Sequence, residues 1–152
     1  MFYLSEGRIA ETVLEGRAVP YCQLLFHLVW TTKGREPLLT PETETIVHSL
    51  LRSKSVQLEA QVFALDGTED HIHMVVSIPP KLAVARFVGQ VKAASSALFN
   101  KAHPTRPAFF WQEEYGAFTL DLKRLSNHVS YVLQQKDHHR QRTTIPALER
   151  TA

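Results

Sequence analysis

The sequence predicts an α+β fold of the ferredoxin-like, split β-α-β kind, with one further helix at its C-terminal side. Three observations carry this expectation. Residues 71–78, HIHMVVSI, alternate between two faces and are stopped by Pro79-Pro80. Two segments with apolar residues at helical spacing separate strand-like runs. The resulting order, strand-helix-strand-strand-helix-strand, is that of an antiparallel sheet with both crossover helices on one face. The other face is left open, so the final helix, or a partner's, must cover part of it.

Tyr21 to Thr31, YCQLLFHLVWT, is aromatic and β-branched and reads as the first strand. Gly34 and Pro37 mark a loop, and Thr40-Pro41 resembles a helix start with proline at the first helical position. Ile46, Val47, Leu50 and Leu51 give the stripe of a helix ending near Lys54. Val56, Leu58, Ala60, Val62 and Ala64 alternate with polar residues until Phe63 and predict the second strand. Asp66-Gly67 is a turn signal before the third strand. Val84, Phe87, Val88, Val91, Ala94 and Leu98 form the stripe of a long helix. Tyr115 to Leu120 is the expected fourth strand, and the last helix runs from about Lys123 to Gln141. Residues 1–20 read as an N-terminal extension, 21–142 as a single domain and 143–152 as a C-terminal tail.

A chain of 152 residues with 44% apolar and 21% charged residues is ordinary globular material. It has no run of about 18 apolar residues, so a membrane span is not expected. The first 17 residues carry Glu6, Glu11 and Glu15 without an apolar stretch and cleavage site, which argues for a cytoplasmic protein. Cys22 is the single cysteine, and it excludes an intrachain disulfide or a thiolate metal cluster. Net charge is only +2, but it is unevenly spread. Lys81, Arg86, Lys92, Lys101 and Arg106 follow one another with no intervening acid, and Lys123, Arg124, Lys136, Arg140 and Arg142 stand against Asp137 alone. That separation is what a polyanion-binding face requires, although two solvated helix faces would produce it too.

Alternation in the third strand puts Ile72, Met74, Val76 and Ile78 on one face and His71, His73, Val75 and Ser77 on the other. The two histidines then project together from the open face, roughly 6.5–7 Å apart at Cα, close enough to converge on one cation. Asp70 and Glu69 stand ready to orient a ring from behind. Two imidazoles are too few for a closed site, so a further ligand is needed. Gln135, His27, the pair His138/His139 and an unnamed carboxylate are all open. Tyr131 and Gln135 are four residues apart and share a helix face. A glutamine carbonyl suits Mg²⁺ or Mn²⁺, and imidazole suits Mn²⁺ and later metals. Each of these residues has an ordinary structural use when taken singly. His27 suits a hydrogen-bonded sheet position, and His138 and His139 suit an exposed basic segment. Lys92, Ser95 and Ser96 could meet phosphates or simply solvate a helix.

In order and spacing, five segments together resemble the single-tyrosine HUH transposases of bacterial insertion sequences. They are FHLVWTTKGREPLL, DHIHMVVSIPP, VGQVKAASSALF, WQEEYGAFTL and YVLQQKDHHRQR. The likeness covers about Tyr21 to Arg142. It implies that His71, His73 and Gln135 ligate Mg²⁺ or Mn²⁺ and that Tyr131 is the nucleophile, with Asp70 supporting the ligands. It further implies a homodimer acting on single-stranded DNA hairpins at element ends, through a 5′-phosphotyrosine intermediate. Lys92, Arg86, Lys136 and Arg140 are the expected DNA contacts. Three other readings keep the same sequence: a domesticated relative that binds or nicks repeat hairpins, a non-catalytic nucleic-acid-binding module, and a metal hydrolase that uses water.

Overall fold

The computed structural model describes residues 21–152; the extension expected at 1–20 lies outside them. Strands β1 (Leu25–Thr31), β2 (Gln61–Gly67), β3 (His71–Ser77) and β4 (Gly116–Leu120) form one antiparallel sheet in the order β2-β3-β1-β4. Helices α1 (Pro41–Gln57) and α2 (Val84–Ala102) follow β1 and β3. This is the expected ferredoxin-like topology. Helices α3 (Leu125–Leu133) and α4 (Gln135–Gln141) come after β4.

The main core lies between the sheet and the α1/α2 layer. Leu28 and Trp30 of β1 and Ile72, Met74 and Val76 of β3 meet Val47, Leu51, Phe87, Val88 and Val91 there. The alternation of β3 is thus realised as read. On the opposite face Val75 and Ala64 pack against Leu125 and Val132 of α3. The chain's own last helices therefore cover the face that the topology leaves open.

Two local departures have clear causes. Helix α1 begins as expected, with Thr40 accepting a hydrogen bond from the Thr43 N–H, but it runs on to Gln57 rather than ending near Lys54. Val56 is consequently an exposed helix residue instead of a strand residue. Glu59 ends the overrun in the left-handed region, at φ 61°. A bulge between Val62 and Ala64 then shifts the register of β2, so these residues pack on opposite faces of the sheet. Simple alternation had placed them together.

The last helix is broken. Gln134, at φ −109° and ψ 19°, separates α3 from α4. After α4, Arg142 adopts φ 59° and turns the chain back. Residues Pro146–Glu149 form a short 3₁₀ turn lying against β1 and β4. Gly116 shows how closely this segment docks, because a Cβ there would stand 2.0 Å from the Arg150 carbonyl oxygen. Among the described residues, no helix is long and apolar enough to cross a membrane.

Candidate metal and nucleophile site

His71 and His73 enter the site side by side from β3. The approach to them is tight, since a Cβ on Gly67 would lie 2.0 Å from the His71 carbonyl oxygen. Glycine is needed there to bring β2 into β3. Neither imidazole is exposed as the open-face argument expected: His71 is 2% and His73 0% exposed. The correction follows from α3, α4 and the 145–149 segment, which close over that face.

Each imidazole has its Nδ1 committed and its Nε2 turned inward. His71 Nδ1 lies 2.7 Å from Asp70 Oδ1 and 2.8 Å from Thr68 Oγ1. The carboxylate can only accept, so it fixes the proton on Nδ1 and leaves the Nε2 lone pair free. The His71 hydrogen bond, aided by Thr68 and Arg35, holds the Asp70 carboxyl below its ordinary range. His73 Nδ1 lies 2.8 Å from His27 Nε2, and His27 Nδ1 lies 2.8 Å from His128 Nδ1. Burial, with His73 and His128 alongside, lowers the His27 pKa to about 3, so His27 is neutral.

Gln135, at the start of α4, is fully buried, and its Oε1 stands 3.4 Å from His71 Nε2. Its Nε2 reaches the Tyr131 carbonyl at 3.4 Å, so the expected i, i+4 relation survives the break at Gln134. Tyr131 is 5% exposed, and its ring centroid is 5.8 Å from that of its own chain's His73.

Two further residues join the site. Glu149 Oε2 is 3.0 Å from His73 Nε2 and 3.5 Å from His71 Nε2, while its Oε1 accepts the Tyr131 hydroxyl at 2.5 Å. The Ile145 N–H donates to the same hydroxyl at 2.9 Å. His139 Nε2 is 3.1 Å from Gln135 Oε1 and 3.5 Å from Glu149 Oε1. His138 instead packs its tilted ring against Tyr131 and bonds Thr143. Sequence reasoning left a carboxylate open without naming one. Glu149 lies 76 residues beyond His73, outside any periodic segment, and no motif points to it. Burial pushes the Tyr131 phenol up to about 12, with the Glu149 carboxylate adding to the effect. Burial opposes ionisation of Glu149 as well, but the hydrogen bonds from His73 and Tyr131 prevail and bring it to about 2.

The donor set fits a divalent ion. Adjacent ligands held about 2.1 Å from an octahedral cation stand about 3 Å apart. His71 Nε2 stands 3.4 Å from Gln135 Oε1 and 3.5 Å from Glu149 Oε2, and His73 Nε2 stands 3.0 Å from that same oxygen. His71, His139 and Glu149 bring ligand atoms within 4.8 Å of one another. Nitrogen and oxygen donors without thiolate favour Mn²⁺ or Mg²⁺ over soft metals.

The expected DNA contacts fare differently. Lys92 is buried, and its ammonium donates to the carbonyls of Gln112, Glu113 and Glu114 at 2.6, 3.0 and 3.0 Å. It is a staple for the loop before β4 and has no donor left for phosphate. Ser95 and Ser96 donate back to their own helix. Lys136 is taken up by Glu44, Asp66 and the Gly67 carbonyl. Arg86 is exposed, and Arg140 is exposed and paired with Asp137. The two basic segments also lie on opposite faces of the sheet, so they do not form the single basic face that their charge pattern implied. A cleft of about 460 Å³ opens beside the site between Glu44, Thr68, Glu69, His139 and Arg140.

The relatives of this chain are transposases. A family model described as "Transposase IS200 like" matches residues 20–135, and the chain belongs to the IS200-like transposase family. It is 31% identical over 128 residues to the ISDra2 transposase TnpA of Deinococcus radiodurans, covering 81% of this chain and 91% of that protein. It is 26% identical over 117 residues to the transposase for insertion sequence element IS200 of Salmonella typhimurium, covering 72% and 77%. Two solved structures share the fold. A transposase from Deinococcus radiodurans R1 superposes with a TM-score of 0.62 at 24% identity, over 78% of this chain and 96% of that one. A REP-associated tyrosine transposase bound to a REP hairpin gives 0.60 at 15% identity, over 84% and 74%. The family match takes in His71, His73, Tyr131 and Gln135 and stops short of His139 and Glu149.

Proposed function

We propose that this transposase cuts and rejoins single-stranded DNA by transient attachment of one strand to Tyr131. His71, His73 and Gln135 hold Mg²⁺ or Mn²⁺, and Asp70 fixes the His71 ring that faces it. When bound, the ion neutralises negative charge that builds on the phosphate during in-line attack. The Tyr131 oxygen forms a bond to phosphorus as the bond to the 3′ oxygen breaks, leaving a 5′-phosphotyrosine and a free 3′-OH. The phosphodiester energy is kept in that linkage, so attack by a second 3′-OH rejoins DNA and frees the tyrosine. With its phenol near 12, Tyr131 is protonated in the DNA-free protein at neutral pH, and a divalent ion held by the neighbouring ligands would favour the phenolate.

The observation that supports this reading is the pairing of His71 Nε2 with Gln135 Oε1 at 3.4 Å, with His73 Nε2 and the Tyr131 hydroxyl both meeting the Glu149 carboxylate beside them. Single-stranded hairpins at element ends are the proposed substrate, a homodimer the proposed assembly and the cytoplasm the proposed compartment. The test is incubation with labelled hairpin DNA and Mn²⁺ or Mg²⁺, followed by denaturing electrophoresis. A covalent adduct should form, and it should vanish with EDTA and with Tyr131→Phe while hairpin binding persists. Cleavage persisting in Tyr131→Phe would identify a water-using hydrolase, and binding without cleavage of any flanked hairpin would identify a binding module.

A further inference from the structure

We infer that Glu149, carried by the C-terminal segment, is an additional ligand of the divalent cation in the DNA-free protein; this rests on the metal site proposed above. His71, His73 and Gln135 are all neutral donors, and they bring no charge to offset a dication in a site where His73 and Gln135 have no exposure. Glu149 is the carboxylate that faces both inward nitrogens. A single oxygen, Oε2, lies 3.0 Å from one and 3.5 Å from the other, the spacing of neighbouring ligands around one ion. With Asp70 fixing the Nδ1 proton of His71, and His27 available to take that of His73, the inward lone pairs suit a cation better than a second carboxylate hydrogen bond.

The position of Glu149 is built rather than incidental. The left-handed Arg142 reverses the chain, the Ile145 N–H binds the Tyr131 hydroxyl, and the Arg150 carbonyl fills the space that Gly116 leaves open. The other Glu149 oxygen accepts from Tyr131. One carboxylate thus joins the ligands to the nucleophile. The resulting set of two imidazoles, an amide oxygen and a carboxylate accepts a hard or borderline dication such as Mn²⁺.

The test is a Mn²⁺ titration of the full-length, DNA-free protein, with free ion followed by electron paramagnetic resonance. Glu149→Gln keeps the shape of the side chain and removes its charge. It should weaken Mn²⁺ binding by at least about 10-fold, with an unchanged melting temperature before metal is added. Unchanged or tighter binding overturns the inference, as does a variant that binds Mn²⁺ normally and DNA more tightly, which would make Glu149 a stand-in for phosphate. His71→Ala and His73→Ala distinguish the two levels of the argument. If they lose Mn²⁺ while Glu149→Gln does not, only the role of Glu149 falls; if they keep it, the metal site itself falls. As a measurement on unmutated protein, adding Mn²⁺ should displace a carboxylate stretch in the infrared difference spectrum, and absence of that change also overturns the inference.

Discussion

Replacing His27 by leucine tests how the site holds His73. His27 is fully buried in the middle of β1, and its two ring nitrogens lie 2.8 Å from His73 Nδ1 and from His128 Nδ1. For His73 to offer its Nε2 lone pair to a cation, its Nδ1 must carry the proton and donate it to His27 Nε2. His27 must then carry its own proton on Nδ1 and donate to His128. One tautomer runs through all three rings.

Leucine removes both hydrogen bonds, but the two ends differ in consequence. His128 is only half-buried, so water can replace its partner. His73 is fully buried and its Nδ1 would be left without one. An orphaned buried donor or acceptor costs about 1–3 kcal/mol. Loss of the partner that orients a metal-bound histidine costs about 10–100-fold in metal affinity. His27→Leu should therefore lower unfolding free energy by about 1–3 kcal/mol in urea and weaken Mn²⁺ binding by about 10–100-fold in calorimetry. His27→Gln, whose amide oxygen can accept from His73, should recover part of the affinity. Mn²⁺ affinity within about twofold of wild type in His27→Leu would refute the argument, whatever happened to stability.

Two other outcomes are expected. Lys92→Met removes three part-buried hydrogen bonds to carbonyls and should cost about 1–3 kcal/mol in urea unfolding. It should leave hairpin affinity and its salt dependence unchanged, whereas loss of a phosphate contact would reduce the salt slope by about one. His48 is held neutral by burial, its pKa lowered from 6.5 to about 4; Asp66 pulls the other way, and Lys136 and Arg52 reinforce the lowering. Between those values the unfolded chain binds the proton and the folded one does not, so this contribution is present above pH 6.5 and lost as pH falls toward 4. The drop is worth about 3 kcal/mol at 1.36 kcal/mol per pH unit. His48→Leu should accordingly gain about that much on wild type between pH 7 and pH 4 in denaturant melts, and parallel curves would exclude the mechanism.

What the sequence revealed and what it hid divide along the range of the interactions. The faces of β3 were legible because a two-residue period depends only on the strand itself. The Tyr131–Gln135 relation was legible for the same reason and survived a helix break that no residue there announces, Gln134 being neither glycine nor proline. Burial was misjudged because it depends on what packs above a residue. His71 and His73 do face away from the main core, yet α3, α4 and the 145–149 segment seal them. The surroundings of the lysines were hidden for a related reason. Sequence shows that Lys92 carries a charge, but only the fold shows three carbonyls already consuming it.

The two histidines themselves show where that boundary falls. The orienting partners of His71 are Thr68 and Asp70, within three residues, so a tight hairpin delivers them and Asp70 could be anticipated. The partner of His73 is His27, 46 residues away, and it arrives only through the pairing of β1 with β3. In that register His73 stands opposite Val29 and His27 opposite Val75, so the two imidazoles are diagonal neighbours on one face. A mid-strand histidine, unremarkable by itself, acquires its role from that register. A shift of one residue would turn His27 toward the α1/α2 layer and leave His73 without its partner.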